Sequence, residues 1–338
     1  MTLLAAWMHD LDPCAVHAFG RCLIRWYGLS YVAGFVAAWW IIRTQIRRGR
    51  APWSELTKAG DLVFAVAVGA VVGGRLGYIL LYDPPILWSF SSSPPWWGVL
   101  MLQNGGMASH GGMIGVIVAA LVVARREKAA RLEVTDLLAL AAPPGLFFGR
   151  LANFINGELL GRVVAAPGEP APAWAVRYPQ ELLTRQVPVL SPEQEAALGA
   201  LAYDAAPDAQ TRFDQLSALV AAAHQGAGDL AGRLEPLLSA RHPSQLYQAM
   251  AEGVVLFAVL WAVRARSARA GGVTAAFLLV YGVLRVATEY WRLPDDHLAV
   301  QRVLGLSRGQ WYSAAMILAG AVLLVRLKKP APAGAGRD

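Results

Sequence analysis

The chain has 338 residues, 56% of them hydrophobic and only 16% charged. A soluble domain carries about a quarter charged residues, so an ordinary soluble globule is excluded and lipid is indicated. The net charge of +7 gives little support to nucleic-acid binding, because it comes largely from basic clusters at the ends of long apolar runs.

The opening residues, MTLLAAWMHDLDP, lack the positive n-region and small-residue cleavage site of a signal peptide. The chain is therefore expected to be retained whole. Cys14 and Cys22 follow. They have no metal-ligand spacing. A disulfide across eight residues stays open, and both cysteines are expected to be structural bystanders.

Crossing a bilayer takes about 20 mostly apolar residues. Seven runs qualify in chain order: 22–42, 61–81, 107–124, 134–154, 243–263, 272–290 and 310–325. The third is the shortest, and the fourth and sixth contain arginines. The loop after the first run holds Arg43, Arg47, Arg48, Arg50 and Lys58, and the loop after the third holds Arg125, Arg126, Lys128 and Arg131. Arg264, Arg266 and Arg269 follow the fifth, and Arg326, Lys328 and Lys329 follow the seventh. Every second loop is basic, which predicts an odd number of spans with the N-terminus outside and the C-terminus inside. The predicted fold class is an all-α integral membrane protein of seven transmembrane helices with an outer head.

Four segments lie outside on this topology. The first precedes the first run. The second, 82–106, is rich in Pro, Trp and Ser, and its Pro94–Trp97 stretch PPWW reads as an interfacial anchor. The third, 157–241, contains Ser191-Pro192-Glu193, a helix start with a capping residue followed by Pro. Pro207-Asp208 opens a second stretch there, with Phe213, Leu216, Leu219 and Val220 at helical spacing. The fourth is 291–309. This divides the chain into spans one to four (1–156), a head segment (157–241), spans five to seven (242–329) and a disordered tail (330–338). No internal repeat stands out, which weakens a transporter reading.

Ionisable groups inside hydrocarbon are costly and usually mark function. Arg75, His110, Arg150, Asn153, Gln245, Arg285 and Glu289 fall in the outer parts of their runs, Glu252 lies nearer the middle of its own, and Tyr27 and Arg25 sit at the outer end of the first. Helices running in opposite directions thus gather their polar residues at one depth. Snorkelling accounts for Arg25 as well as function does, but fits Arg150 and Arg285 less well. Tyr281, Arg285 and Glu289 line one helical stripe, extended by Arg292, and Arg150 and Asn153 share a face. Glu289 reads as a group that holds Arg285 or Arg292 in place. Converging arginines suit a phosphate, and at this depth the abundant anion is a phospholipid headgroup. Gly105-Gly106 and Gly111-Gly112 bracket His110. They serve either close backbone approach to a ligand or close helix packing.

GRLANFINGELLGR at Gly149–Arg162 closely resembles the signature of the prolipoprotein diacylglyceryl transferase family. IRWYGLSYVAGF from Ile24, GGMASHGGMIGV from Gly105, RHPSQLYQAMAEG from Arg241 and YGVLRVATEYWRLPD from Tyr281 are similar to further blocks of that family, in its order, and LSRGQWYSAAMILAG fits the last. Ala152 stands where the family has Gly, Gln248 stands where it has Glu, and 181–240 looks longer than its norm. The resemblance implies a seven-helix bundle with a head, multi-pass in the bacterial inner membrane and with its active site toward the outer leaflet. It implies transfer of the sn-1,2-diacylglyceryl group of phosphatidylglycerol to the lipobox cysteine of a prolipoprotein, the first step of lipoprotein maturation. It carries His110, Arg150 and Arg285 over as essential residues, and Tyr27, Asn153, Glu158, Gly161, Glu289 and Arg292 as lipid-binding ones.

The chemistry needs neither a cofactor nor a metal, since the phosphodiester is already a leaving group. The nucleophile is the substrate thiol, with an ordinary pKa near 8.5, so a base near neutrality helps, and His110 is the choice. Alternatively the phosphate or a carboxylate takes the proton and His110 orients the lipid. The expected partners are phosphatidylglycerol, prolipoprotein signal peptides and membrane lipid, with no nucleic acid. The rival functions are an anionic-lipid transporter, a non-catalytic assembly protein and an acyltransferase.

Overall fold

The structure, a computed structural model, describes residues 6–19, 21–102, 105–184, 189–226, 229–267, 269–293, 302–303 and 306–328. The tail 330–338 and much of the fourth outer segment lie outside the described residues. Contacts divide the chain into two compact units. The first takes in the described parts of 1–33, 145–257 and 279–319, and the second those of 34–144, 258–278 and 320–338.

Ten helices are described: α1 (Trp26–Arg47), α2 (Lys58–Leu81), α3 (Ser109–Arg126), α4 (Arg131–Ile155), α5 (Pro192–Ala205), α6 (Arg212–His224), α7 (Leu230–Leu234), α8 (Ser244–Arg266), α9 (Gly272–Glu289) and α10 (Arg308–Lys328). Six of them, α2, α3, α4, α8, α9 and α10, are long and apolar enough to cross a membrane. They match six of the seven expected runs. Their large apolar side chains point outward in number, such as Phe64, Leu80, Ile114 and Leu318, as helices solvated by hydrocarbon require. The run expected at 22–42 is displaced. Residues 22–25 belong to a strand, β3 (Arg21–Arg25), and the helix begins at Trp26. α1 is rich in Trp and Tyr and ends in basic residues, with the Arg43 guanidinium over the Trp39 ring at 5.0 Å.

In the second unit, α2 and α3 pack on glycine. Gly69, Gly73 and Gly77 recur every fourth residue on α2 and face Gly111 and Gly115 of α3. A Cβ on Gly115 would overlap the Gly69 carbonyl, and one on Gly77 would stand 2.8 Å from the Gly111 Cα. The glycines beside His110 thus divide. Gly111 serves helix packing, while Gly105 adopts a positive φ of 78° in open space. Lys58 Nζ joins Glu127 at 2.8 Å, tying the start of α2 to the end of α3. Arg75 is buried and spent on structure: Nε donates to the Val99 carbonyl (2.9 Å), Nη1 to Gly105 (2.6 Å) and Gly106 (3.0 Å), and Nη2 to Gly98 (2.6 Å). It holds the segment between α2 and α3, whose Trp88, Phe90 and Trp96 are exposed. Asp136 accepts from the backbone of Gly271 (2.8 Å) and Thr274 (2.7 Å) and so caps the start of α9.

In the first unit, β2 (Cys14–Ala18) and β3 form an antiparallel hairpin. Cys14 and Cys22 are joined in a disulfide with Cα atoms 5.7 Å apart, so the cysteines expected as bystanders are a staple. A four-stranded sheet has the order β1-β5-β6-β4, from Trp7–Met8, Val176–Arg177, Ala240–Arg241 and Val163–Ala165. β1 runs parallel to β5, and the other pairs are antiparallel. A further pair, β7 (Arg302–Val303) and β8 (Leu306–Ser307), precedes α10.

Both helix starts expected in 157–241 are found, the second slightly later in sequence. Ser191 and Gln194 form a reciprocal capping box on α5. The second helix starts at Arg212, where Thr211 Oγ1 accepts from the Asp214 N–H (3.1 Å). Leu182, Leu198, Leu201, Leu219, Leu234 and Leu238 form its core. The fully buried Glu181 closes the base of this subdomain, accepting from the Ser239 N–H at 2.6 Å and pairing with Arg241 Nε at 2.5 Å. Glu181→Leu is expected to cost about 3–5 kcal/mol, because it strands a buried guanidinium. A lowered thermal midpoint in detergent, with new tryptic cleavage between 182 and 240, is the expected reading. An unchanged midpoint would refute it.

Candidate functional site

In the first unit, Arg150, Arg285 and Thr288 meet around one carboxylate, Glu252. α4 carries Pro143 and Pro144, which lack the N–H that the helix ladder uses, and then Phe147, Arg150 and Asn153. α8 is locally wound as a π turn over Ala249–Val255, a distortion common at functional sites. Gly253 on that turn lies against Phe147, where a Cβ would stand 2.6 Å from the Phe147 Cβ. That close approach brings Arg150, one turn further along α4, onto Glu252.

Glu252 is fully buried. Arg150 donates to its Oε2 from Nη2 (3.2 Å) and Nε (3.4 Å). Arg285 Nη1 stands 3.8 Å from its Oε1, and Thr288 Oγ1 donates to the same oxygen at 3.3 Å. Arg285 Nη1 also meets Glu289 Oε2 at 3.0 Å, one turn along α9. Ser307 Oγ donates to the other Glu289 oxygen at 3.2 Å. Glu289 therefore holds Arg285, as its spacing suggested. The two arginines are balanced by two carboxylates. The side chains of Arg150 and Arg285 keep 18% and 12% of their surface exposed. Such a network fixes planar donors in place and leaves them an open side for an anion.

The signature turn after α4 is held on several sides. Asn153 Nδ2 and Asn156 Nδ2 donate to the two Glu158 oxygens at 3.0 and 3.1 Å. Glu158 is thus held by two asparagine side chains. Its backbone carbonyl accepts from Gln245 Nε2 (2.5 Å), and that of Leu159 from Ser244 Oγ (3.0 Å). Gly161 bridges to Arg292, flanked by Leu293 N to Leu160 O (3.1 Å) and Arg162 N to Trp291 O (3.0 Å). Arg292, far in sequence from Glu158 and Gly161, is thereby brought onto backbone neighbouring theirs.

Two further expected site residues lie on other helices. Tyr27, in the first turn of α1, packs edge-on against Tyr31 at 5.4 Å. His110 opens α3 in the second unit with an exposed side chain. Gln248, four residues before Glu252, is fully buried, and neither atom of its amide is bonded among the described residues.

Glu252 itself was visible in the sequence as a charge within a span, but its role was not. Two arginines in hydrocarbon need counter-charge, and that accounting alone would have named it. His9 was not visible at all. It is buried, with Nε2 2.7 Å from the Phe154 carbonyl. Burial pushes its pKa down to about 4.

The family model for prolipoprotein diacylglyceryl transferase matches residues 13–326. A phosphatidylglycerol–prolipoprotein diacylglyceryl transferase of Bdellovibrio bacteriovorus is 41% identical over 337 residues, covering 94% of this chain and 93% of its own. Proteins of the same name from Ralstonia pickettii and Idiomarina loihiensis are 39% and 35% identical, the first covering 94% of this chain and 93% of its own, the second 96% of each.

Proposed function

Since the chain belongs to the prolipoprotein diacylglyceryl transferase family, and is thereby a transferase of lipoprotein biosynthesis, we propose that it moves the sn-1,2-diacylglyceryl group of phosphatidylglycerol onto the lipobox cysteine of prolipoproteins. The substrate sulfur attacks the glycerol carbon that bears the phosphoester. A carbon–sulfur bond forms, the carbon–oxygen bond breaks, and its electron pair leaves on the oxygen of glycerol phosphate. The thiol proton passes to His110. Arg150 and Arg285 bind the phosphate and stabilise its growing charge, each such donor contributing about 3–4 kcal/mol. Asn153, Glu158, Glu289 and Arg292 hold the headgroup and the arginines, Tyr27 borders the lipid, and Gly161 sets the backbone of the signature.

The observation that carries this reading is the convergence of Arg150 and Arg285 on the buried Glu252. It supplies fixed guanidiniums within apolar helices, where a phospholipid headgroup is the available anion. The membrane placement is the bacterial inner membrane, with α1 as a seventh span, the N-terminus outside, the head 157–241 on the outer side and the site toward the outer leaflet. Two features support that orientation. Disulfides persist in oxidising compartments, which suits the Cys14–Cys22 hairpin outside. The basic clusters at the opposite helix ends suit the inside, and there Arg48 stacks on Trp261 at 5.2 Å. The subdomain closed by Glu181 is assigned the role of meeting the substrate peptide. Deleting 182–240 without loss of peptide affinity would remove that role.

The test is direct. Purified protein incubated with phosphatidylglycerol and a lipobox peptide is expected to yield diacylglyceryl peptide and glycerol phosphate in equal amounts. His110→Ala and Arg285→Ala, if folded, are each expected to lower the rate by about a hundredfold or more. Folded wild-type protein giving neither product across lipids and detergents would overturn the reading, and a lysolipid product would indicate acyl transfer instead.

A further inference from the structure

Resting on the transferase reading, we propose that His9 is a positioning residue of the reaction, holding the signature turn through a neutral His9–Gln180–His224 relay whose protonation releases that turn. The Phe154 carbonyl can only accept, so the His9 Nε2 at 2.7 Å carries the hydrogen. In the neutral ring Nδ1 is then an acceptor, and Gln180 Nε2 donates to it at 3.1 Å. The same amide nitrogen lies 2.7 Å from His224 Nε2. Its two hydrogens serve two imidazoles, and both rings must be neutral to accept them.

The relay touches the turn twice. Phe154, which accepts from His9, also accepts from the Gly157 N–H at 3.0 Å. Gly157 has a φ of 64°, and a Cβ there would overlap the Gln180 carboxamide. The turn so held carries Asn153 and Glu158, and Arg150 stands one helical turn before it. Misplacing such groups by about 1 Å can cost about a hundredfold in rate.

The groups around His9 decide its charge. Trp7, Phe154 and Tyr178 surround the ring with centroids 5.1–5.6 Å away. His224 faces it from α6 at 6.1 Å. Asp10 beside it favours the cation, while Asp12 is engaged by His17 at 2.7 Å. Burial outweighs the acids and depresses both histidines, His9 to about 4. Since the folded value lies below the ordinary 6.5, the relay's contribution is complete above pH 6.5 and is lost as pH falls from there toward 4.

The experiment uses full-length protein in phosphatidylglycerol nanodiscs. It measures transfer rate, thermal midpoint and histidine ring NMR from about pH 5 to 8. His9→Phe keeps an aromatic ring but loses both bonds, and is expected to lower kcat by about tenfold at pH 7.5 with KM for lipid little changed. Gln180→Glu puts a carboxylate between the rings, where it accepts from two imidazolium N–H groups. Its midpoint at pH 5 is expected to exceed that at pH 7.5, the reverse of the wild-type order. A merely structural contact would not reverse sign. His9 titrating near 6.5 in folded protein, or Gln180→Glu keeping the wild-type order, would overturn the proposal, and so would an unchanged kcat in folded His9→Phe. Absence of transfer in the wild type would sink the transferase reading and the positioning role together, while the ring titration and midpoints still decide whether the relay exists.

Discussion

Glu252→Leu will cost this protein both stability and transfer. At 3.2 and 3.8 Å from two guanidiniums, Glu252 attracts each by about 4–5 kcal/mol at an effective dielectric near 20. Desolvation offsets much of that while the pair is intact. Removing the carboxylate removes the attraction but leaves both arginines half-buried and repelling one another. The expected destabilisation is about 3–5 kcal/mol, and transfer should fall by about a hundredfold or more, since the donors lose their fixed positions. Glu252→Gln keeps the shape and an acceptor for Thr288, so a smaller loss of about tenfold is expected. The check is the thermal midpoint and the rate per folded, monodisperse molecule. A folded leucine variant with the wild-type rate would show that Glu252 positions nothing.

The second large effect is expected from a single methyl group. In Gly161→Ala the new Cβ would overlap the His242 carbonyl oxygen and stand 2.9 Å from its carbon. Backbone cannot swing aside as a side-chain tip can, so the bridge from Gly161 to Arg292 must open or shift. Overpacking of this kind costs about 1–3 kcal/mol, and the displaced Glu158 and Arg292 should cost about a hundredfold in rate. Gly149→Ala, twelve residues earlier on α4, meets nothing within 4 Å and is expected to leave the fold intact. Equal thermal midpoints and equal rates for Gly161→Ala and wild type would refute the account.

What the sequence disclosed, and what it hid, follows from the range of the interactions involved. The apolar runs of α2, α3, α4, α8, α9 and α10 were readable because each is a local property of about 20 residues. The start of α5 was readable because Ser191 and Pro192 are adjacent in sequence, although its Gln194 partner was not singled out. The start of α1 was misplaced because Cys22, Leu23 and Ile24 are apolar whether they form strand or helix. The four-stranded sheet escaped because its strands are two or three residues long and pair across more than 60 positions, as Val176 does with Arg241 and Val163 with Arg241. Of the site, the stripe Arg285–Glu289 was visible as a helical repeat. The Arg150–Glu252 pair spans 102 positions, and His9 reaches Phe154 across 145. No periodicity records such distances.

The glycine seam between α2 and α3 bears on how the protein is made. Lipid offers no hydrophobic drive to bring two helices together, so association depends on close backbone contact. Gly69, Gly73 and Gly77 against Gly111 and Gly115 supply that contact within one stretch of chain, along with Arg75 stitching the connecting segment by its own carbonyls. These two helices therefore have what they need to pair in the bilayer without contacts from any later helix. The charged network around Glu252 draws on α4, α8 and α9, and its arginine on α4 must wait for a carboxylate made 102 residues later. Synthesis thus sets an order: a dry, self-sufficient hairpin first, and the costly charges neutralised only when the later helices arrive.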